Sequence, residues 1–292
     1  MTRRLIITAD DFGMAREVNE AVEEAHRRGV LTCASLVVTG EARADAVERA
    51  RRMPALGVGL HLALVSAPPA LDPRDIPVLM DRNGRGLGGR PGFVGARIAL
   101  FREARRQARA EIRAQLELFR KTELPLDHVD GHWHFHQHPA VVDALAELAP
   151  EFGIRAVRIP YEPPLPSWRA AGRHGLLRRV ADAAPHRVLA ARMRRVLRRA
   201  GIASNDWFFG KNDGGTVTPE RLLAFIVHLP PGVTEIGLHP ATRPWTGPHA
   251  PPAHWRGADE LAALVDPDVV AACRAPKQRL VRFGDLSKEY AP

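Results

Sequence analysis

Between Asp127 and His138 the chain reads Asp-His-Val-Asp-Gly-His-Trp-His-Phe-His-Gln-His, and Asp130, His132, His134 and His136 stand at strict alternate positions. Side chains of a β-strand flip faces at each residue, so as a strand this run would present all four groups on one side. Packing alone rarely asks for such a row, and imidazole and carboxylate are ligand types that hold a divalent metal. The plainer alternative is a polar strand edge whose histidines only hydrogen-bond to neighbours. The expectation is a metal or catalytic cluster, framed by Asp127 at the strand start and by His138 ahead of a helix at Pro139.

Strand and helix signals alternate along the chain. Strand patterns cover Leu5 to Thr8, Leu31 to Thr39, Val58 to Leu64, Leu126 to His136, Ile154 to Ile159, a short run near Trp207, Thr234 to Leu238 and Leu280 to Phe283. Helical periodicity covers Ala15 to Arg28, closed by Gly29, then Glu41 to Arg52, Phe93 to Lys121, Pro139 to Phe152 and Pro219 to Leu229. Residues 66–92, loaded with Pro and Gly, read as a long loop over one end of the fold, and residues 166–200 as an arginine-rich helical insertion. Strand-then-helix order argues for a parallel sheet, closed or nearly closed into a (β/α) barrel within one domain spanning 1–292.

Barrels of this kind gather reactive groups at the C-terminal ends of their strands. Asp10 and Asp11 end the first strand, His61 lies near the end of the third, Asp130 and His132 end the fourth, Arg158 closes the fifth, and His239 follows a late strand. Each has an ordinary explanation. Asp10-Asp11 could cap a helix, but one aspartate suffices for that, and adjacent like charges are costly unless a cation relieves them. His61 could be a satisfied core histidine, and His239 before Pro240 a turn residue. Arg158 sits in an apolar strand, where a buried guanidinium needs a carboxylate partner. Their joint placement at one rim is the informative signal.

Composition narrows the remaining classes. Hydrophobic residues make up 45% of 292, enough for a sizeable core, and the two cysteines, Cys33 and Cys273, are too few and too distant for a disulfide framework or a cysteine-ligated zinc site. The Met-Thr-Arg-Arg start enters an apolar run that ends in two aspartates, unlike a signal peptide, and no apolar stretch reaches ~18 residues. A soluble cytoplasmic protein is expected. The net charge of +9 and pI near 10.6 come mainly from arginine, clustered at Arg97 to Arg120 and at Arg169 to Arg199. In the second cluster Leu176, Leu177, Val180, Leu189, Met193, Val196 and Leu197 recur at roughly helical spacing, a basic amphipathic pattern interrupted at Pro185. A solvated helix face is the plainer reading of it. No aromatic interleaving accompanies the charge, so nucleic acid is not the expected partner.

Five ordered motifs resemble the YdjC-like family of carbohydrate deacetylases: Ile-Ile-Thr-Ala-Asp-Asp-Phe-Gly, Gly-Val-Gly-Leu-His-Leu, His-Val-Asp-Gly-His-Trp-His, Val-Arg-Ile-Pro-Tyr-Glu and Glu-Ile-Gly-Leu-His-Pro. The likeness extends over essentially the whole chain, and it is nearest the hopanoid-biosynthesis-associated HpnK branch. The resemblance implies an α/β fold, an irregular (β/α) barrel of the glycoside hydrolase/deacetylase type, with one divalent metal. Carried over by position, Asp11, His61 and His132 would be the ligands, Asp10 the general base, Arg158 the residue that orients it, and His239 the general acid. The run offers His132, His134 and His136 for the last ligand position; Asp130, His134 and His136 would otherwise support the ligands or contact sugar.

These groups suffice for amide hydrolysis. An acetamide carbonyl is a poor electrophile, so the reaction calls for a Lewis acid, a base for the water, and an acid for the departing amine. The expected function is metal-dependent removal of the N-acetyl group from an amino sugar, an N-acetylglucosaminyl unit on a hopanoid lipid. Histidine ligation suits zinc, and a carboxylate with waters suits magnesium or manganese. A lipid-linked substrate would give the basic region a peripheral contact with the inner membrane; relatives of this kind are often homodimers. Rival readings are a deacetylase of soluble chito-oligosaccharides, a metal-free glycosidase with two catalytic carboxylates, and a non-catalytic metal-dependent glycolipid-binding protein.

Overall fold

The computed structural model describes residues 3–81, 86–88, 90–247 and 249–287. In chain order the elements are β1 (Arg3–Phe12), α1 (Arg16–Arg28), β2 (Cys33–Leu36), α2 (Arg43–Arg51) and β3 (Gly57–Leu62). Then come α3 (Pro91–Leu100), α4 (Arg102–Arg120), β4 (Val129–Gly131), a 3₁₀ segment (His132–Gln137), α5 (Pro139–Phe152), α6 (Pro164–Ala170) and α7 (Leu176–Arg199). The series closes with β5 (Trp207–Phe209), α8 (Pro219–Val227), β6 (Val233–Leu238), α9 (Gly257–Val265), α10 (Pro267–Cys273), β7 (Gln278–Leu280) and α11 (Phe283–Ser287).

All strand pairs are parallel, in the order β4-β3-β2-β1-β6-β5, with β7 pairing the start of β1. The result is a curled half-barrel sheet with helices outside it, as the alternating strand and helix patterns implied. The expected strand at Ile154 to Ile159 is an extended segment instead. Single bridges join Val157 to Val129 and Ala156 to Ala203, and the Asn205 side chain ties Ile159 to Trp207 by accepting from the Ile159 N–H and donating to both carbonyls. A side chain thus spans the gap that a regular ladder would have closed, which is the irregularity of this barrel.

Two cores hold the layers. The large one packs the sheet's outer face against the helices, while Ile6, Cys33, Ala156, Ala203 and Val233 fill the interior and are plugged by Phe283 and Leu286 of α11. Above that plug the interior turns polar, and space is tight: a Cβ on Gly59 would lie 2.5 Å from the His128 ring.

Three expectations need correction. The single helix over Phe93 to Lys121 is two helices broken at Phe101 (φ −109°, ψ 125°), because Arg105 folds back to donate to the free carbonyls of Ile98 and Ala99 at the end of α3. α7 runs without interruption through Pro185, whose side is exposed, since Ala183, Ala190, Met193 and Leu197 anchor both halves. Nor is α7 simply amphipathic: Met193 and Leu197 are buried, but Leu177 and Val180 face solvent. Within loop 66–92, residues 82–85 and 89 lie outside the described residues.

Candidate active site

Adjacent residues of a regular strand point to opposite faces, so Asp10 and Asp11 can share a site only if β1 deforms between them. It does. The β1–β2 register shifts between Ala9 and Phe12, and Asp11 takes a left-handed φ of 62°, a strained conformation for a non-glycine residue and a frequent companion of function. Both carboxylates are thereby buried in one mouth.

Asp11 meets two imidazoles there. Its Oδ1 lies 3.1 Å from His132 Nδ1 and 3.6 Å from His61 Nε2, and one ligand atom from each residue falls within 4.8 Å of the others. Donors of a tetrahedral ion stand about 3.4 Å apart, so the spacing fits. The Oδ1 atom is buried yet has no hydrogen-bond partner, its approach to His132 being close but not aligned for one. Converging lone pairs of this kind suit a shared cation, and two imidazoles with a carboxylate are a donor set for zinc or a similar divalent ion. Burial would raise the Asp11 carboxyl, but His132, His61 and His239 outweigh it and hold it well below the usual carboxylate range. Burial likewise opposes charge on His61, yet Asp130, Asp10 and Asp11 lift it to about 9.

Asp130 organises the next layer. Its Oδ1 accepts from His61 Nδ1 at 2.8 Å, which leaves Nε2 of His61 to face Asp11, and its Oδ2 accepts from Ser35 Oγ at 2.7 Å and pairs with Arg158 at 2.8 Å. Arg158 is fully buried and grips Asp10 with two parallel bonds of 2.8 Å. Its Nε and Nη2 donate to Glu235 Oε1 at 2.9 and 2.7 Å, and its face lies 5.0 Å from the Phe208 ring. Arg158 therefore finds the carboxylate partner its apolar setting demanded. Burial pushes the Glu235 carboxyl up despite this cation, which reduces the negative charge surrounding it.

His239 completes the rim. Its Nε2 stands 3.9 Å from Asp10 Oδ2, its ring packs 4.2 Å from Trp255, and its backbone N–H donates to Glu260. Two cavities adjoin the site. One of about 280 Å³ is lined by Asp10, Asp11, His239, Trp245 and Trp255, and one of about 720 Å³ by Asp11, His132, Trp133 and Trp255.

The even-numbered row did not survive as a row. β4 ends at Gly131, and Trp133 and His134 adopt left-handed φ of 53° and 54°, so alternation stops where the chemistry starts. Asp130 and His132 reach the site. His134 packs edge-on against Phe208 at 5.0 Å, and His136 donates from Nε2 to the Arg158 carbonyl at 3.0 Å; neither belongs to a metal-type cluster among the described residues. Burial drives the pKa of both rings down, that of His136 to about 4. His138 caps α5 ahead of Pro139 as expected, whereas Asp127 does not start the strand: β4 begins at Val129, and Asp127 instead accepts from the Gly284 N–H and from His128 Nδ1.

Four supporting residues escaped the sequence reading: Ser35, Glu235, Trp255 and Glu260. Glu235 had a usable signal, since it shares strand parity with His239 and is the one charge in Val-Thr-Glu-Ile-Gly-Leu. Trp255 and Glu260 come from beyond the last rim strand and had none.

A curled parallel sheet with these groups at its C-terminal rim is a (β/α) barrel of the deacetylase type. The chain belongs to the YdjC-like protein family, whose model matches residues 4–275. It is 30% identical over 289 residues to a carbohydrate deacetylase of Geobacillus stearothermophilus, covering 99% of this chain and 100% of that one. It is 32% identical to a carbohydrate deacetylase of Mus musculus, covering 98% and 96%. A carbohydrate deacetylase of Brevibacillus brevis is 39% identical over 158 residues, 54% of this chain and 60% of that one. In fold, the chain is similar to a crystal structure from Enterococcus faecalis, provisionally described as a cellobiose-phosphate cleavage protein, with a TM-score of 0.73, 23% identity and 98% and 99% coverage.

Proposed function

We propose that this chain is a metal-dependent carbohydrate N-deacetylase, a hydrolase of the amide bond in an N-acetylated amino sugar. The observation that carries the reading is Asp10, gripped by Arg158 beside the Asp11, His61 and His132 cluster. A metal-only binding site would not require that adjacent carboxylate. The activity named for the full-length relatives supports the same reaction.

A divalent ion held by Asp11, His61 and His132 would supply Lewis acidity, polarising the acetamide carbonyl and lowering the pKa of a water toward ~7. Asp10 accepts the proton of the attacking water, and Arg158 fixes the direction of its oxygens. His239 stands across the mouth and delivers a proton to the departing amine nitrogen. Asp130 keeps the proton of His61 on Nδ1, and Trp255 holds the His239 ring in place. Trp133 and Trp255 line the larger cavity and offer flat apolar faces to a sugar ring.

As the finer assignment we take the hopanoid branch, with the amino sugar carried on a hopanoid lipid; the branch likeness and the arginine-rich 166–200 segment support it. Incubating the enzyme with an N-acetylglucosaminyl hopanoid and, separately, with diacetylchitobiose, followed by mass spectrometry, tests both levels. Loss of acetyl from the glycolipid alone supports the branch, and loss from diacetylchitobiose alone supports the soluble substrate. Full activity in Asp10→Asn and His132→Ala would overturn the mechanism.

A further inference from the structure

Parallel strands all deliver their C-terminal ends to one rim, and each returning helix begins there. α3 is held at that rim, where the Gly95 carbonyl accepts from His138 at 3.1 Å just ahead of α5. So is the start of α7, where Asp182 pairs with Lys211 and Arg179 with Asp213, both just beyond β5. These rim segments carry an excess of bare apolar surface. Phe93 (69% exposed), Leu100 (76%) and Phe101 stand at the α3–α4 corner, Leu165 on α6, and Trp133 beside the mouth. On α7, Leu177 (85% exposed), Val180, Ala181, Ala184, Val188 and Ala191 are all exposed at i, i+3, i+4, i+7, i+11 and i+14, one stripe along four turns, opposite the stripe that packs on the barrel.

Charge indicates what meets this surface. Segments 90–106 and 164–191 hold ten arginines against two carboxylates, Glu103 and Asp182, both already paired; Arg106 is spent on Glu103 and the buried Arg179 on Glu162 and Asp213, and the other arginines outnumber the acids. Lower on the same helices Arg109, Arg113 and Arg192 pair with Glu147, Glu151 and Asp143, while the exposed Arg195, Arg198 and Arg199 carry the positive charge on along the outer side of α7. Two copies of the chain brought together here would oppose arginine with arginine. A nucleic acid would leave Phe93 and Leu177 unsatisfied. An anionic bilayer offers acyl chains to the apolar stripe and headgroup charge to the flanking Arg178 and Arg187.

We propose that the α3–α4 corner and the outer face of α7 form a docking surface for an anionic lipid bilayer, which sets the active-site mouth toward the membrane. This extends the lipid-linked reading of the substrate, but its test does not depend on deacetylation. Full-length metal-loaded protein is sedimented with vesicles of equimolar phosphatidylglycerol and phosphatidylcholine, and with phosphatidylcholine alone, at low and high salt. The protein should partition onto the anionic vesicles, release as salt rises, and ignore the neutral ones. Leu177→Ser with Val188→Ser should weaken partition by at least about tenfold, and Arg178→Glu with Arg187→Glu should weaken it at low salt, with hydrolysis of a soluble substrate unchanged. The proposal is overturned if wild type stays in the supernatant at low salt, if neutral vesicles bind it equally, or if the variants bind like wild type. Loss of a dimer in the Leu177 and Val188 variant, without vesicle binding by wild type, would assign the face to self-association and overturn it too.

Discussion

Replacing Asp130 with asparagine probes the site through a residue that needs no contact with metal or substrate. The carboxylate receives His61 Nδ1 at 2.8 Å and Ser35 Oγ at 2.7 Å and pairs with Arg158 at 2.8 Å. Asparagine is nearly isosteric but has one acceptor and one donor. If its amide oxygen faces His61, its NH₂ opposes the donor-only Arg158 guanidinium and leaves the Ser35 hydroxyl to turn from donating to accepting. If it flips, its NH₂ faces His61 Nδ1 and moves the imidazole proton to Nε2, the atom that faces Asp11. Either orientation weakens the ligand set, and losing such a support typically costs 10- to 100-fold in metal affinity, about 1.4–2.8 kcal/mol. Folding should suffer less than the ~3–5 kcal/mol of stranding a buried charge, because Arg158 keeps Asp10 and Glu235. The assay is zinc competition against a chromophoric chelator, with circular dichroism confirming the fold. A folded Asp130→Asn enzyme that binds zinc within about twofold of wild type would refute the assignment of His61 as an oriented ligand.

Other consequences are equally direct. Asp10→Asn should lower kcat by ~10²–10⁴ while zinc affinity changes little; near-normal turnover would remove Asp10 as the base. Trp133→Ala should raise KM for an amino-sugar substrate and leave zinc affinity alone, because the ring is 52% exposed and lines the larger cavity; an unchanged KM would mean the left-handed turn serves only to aim His132. His128 lies between Asp127 and Ser35 at 3.1 Å each, and Ser35 spends its single proton on Asp130, so both His128 nitrogens donate. Burial opposes that charge, but Asp127 and Asp130 raise the His128 pKa above 6.5. A raised folded value contributes stability that is fully present below the unfolded pKa and lost as pH rises through the folded one; Asp127, held low, stays ionised throughout. The urea midpoint gap between wild type and His128→Gln should therefore narrow as pH rises from 6 toward 9, and a gap that widens would reverse the assignment.

What the sequence disclosed follows from which signals are local. Polar residues ending apolar strands are visible without a structure, so Asp10, Asp11, His61, Asp130, His132, Arg158 and His239 could be placed at one rim, and the distances agree. Reading 130, 132, 134 and 136 as one face assumed that the strand continued. Left-handed φ values at Trp133 and His134 end it, and no residue type in His-Trp-His announces that conformation. The same holds for Asp11, whose inward turn depends on a bulge against β2 that periodicity cannot encode. Glu235 was legible by parity but went unread, and the α7 stripe is double-sided, so helical spacing alone could not say which face the barrel covers.

Anomalous diffraction from crystals grown with zinc tests the central claim most directly. Among the described residues three clusters could hold an ion: Asp11 with His61 and His132, Asp10 with His61 and Asp130, and Cys33 with Asp127 and His128. A peak ~2.0–2.2 Å from Asp11, His61 and His132, with Asp10 outside the coordination sphere and still clamped by Arg158, is the predicted result. A peak at either other cluster, or Asp10 bound directly to the ion, would contradict the division between the residues that hold the metal and the one that moves the proton.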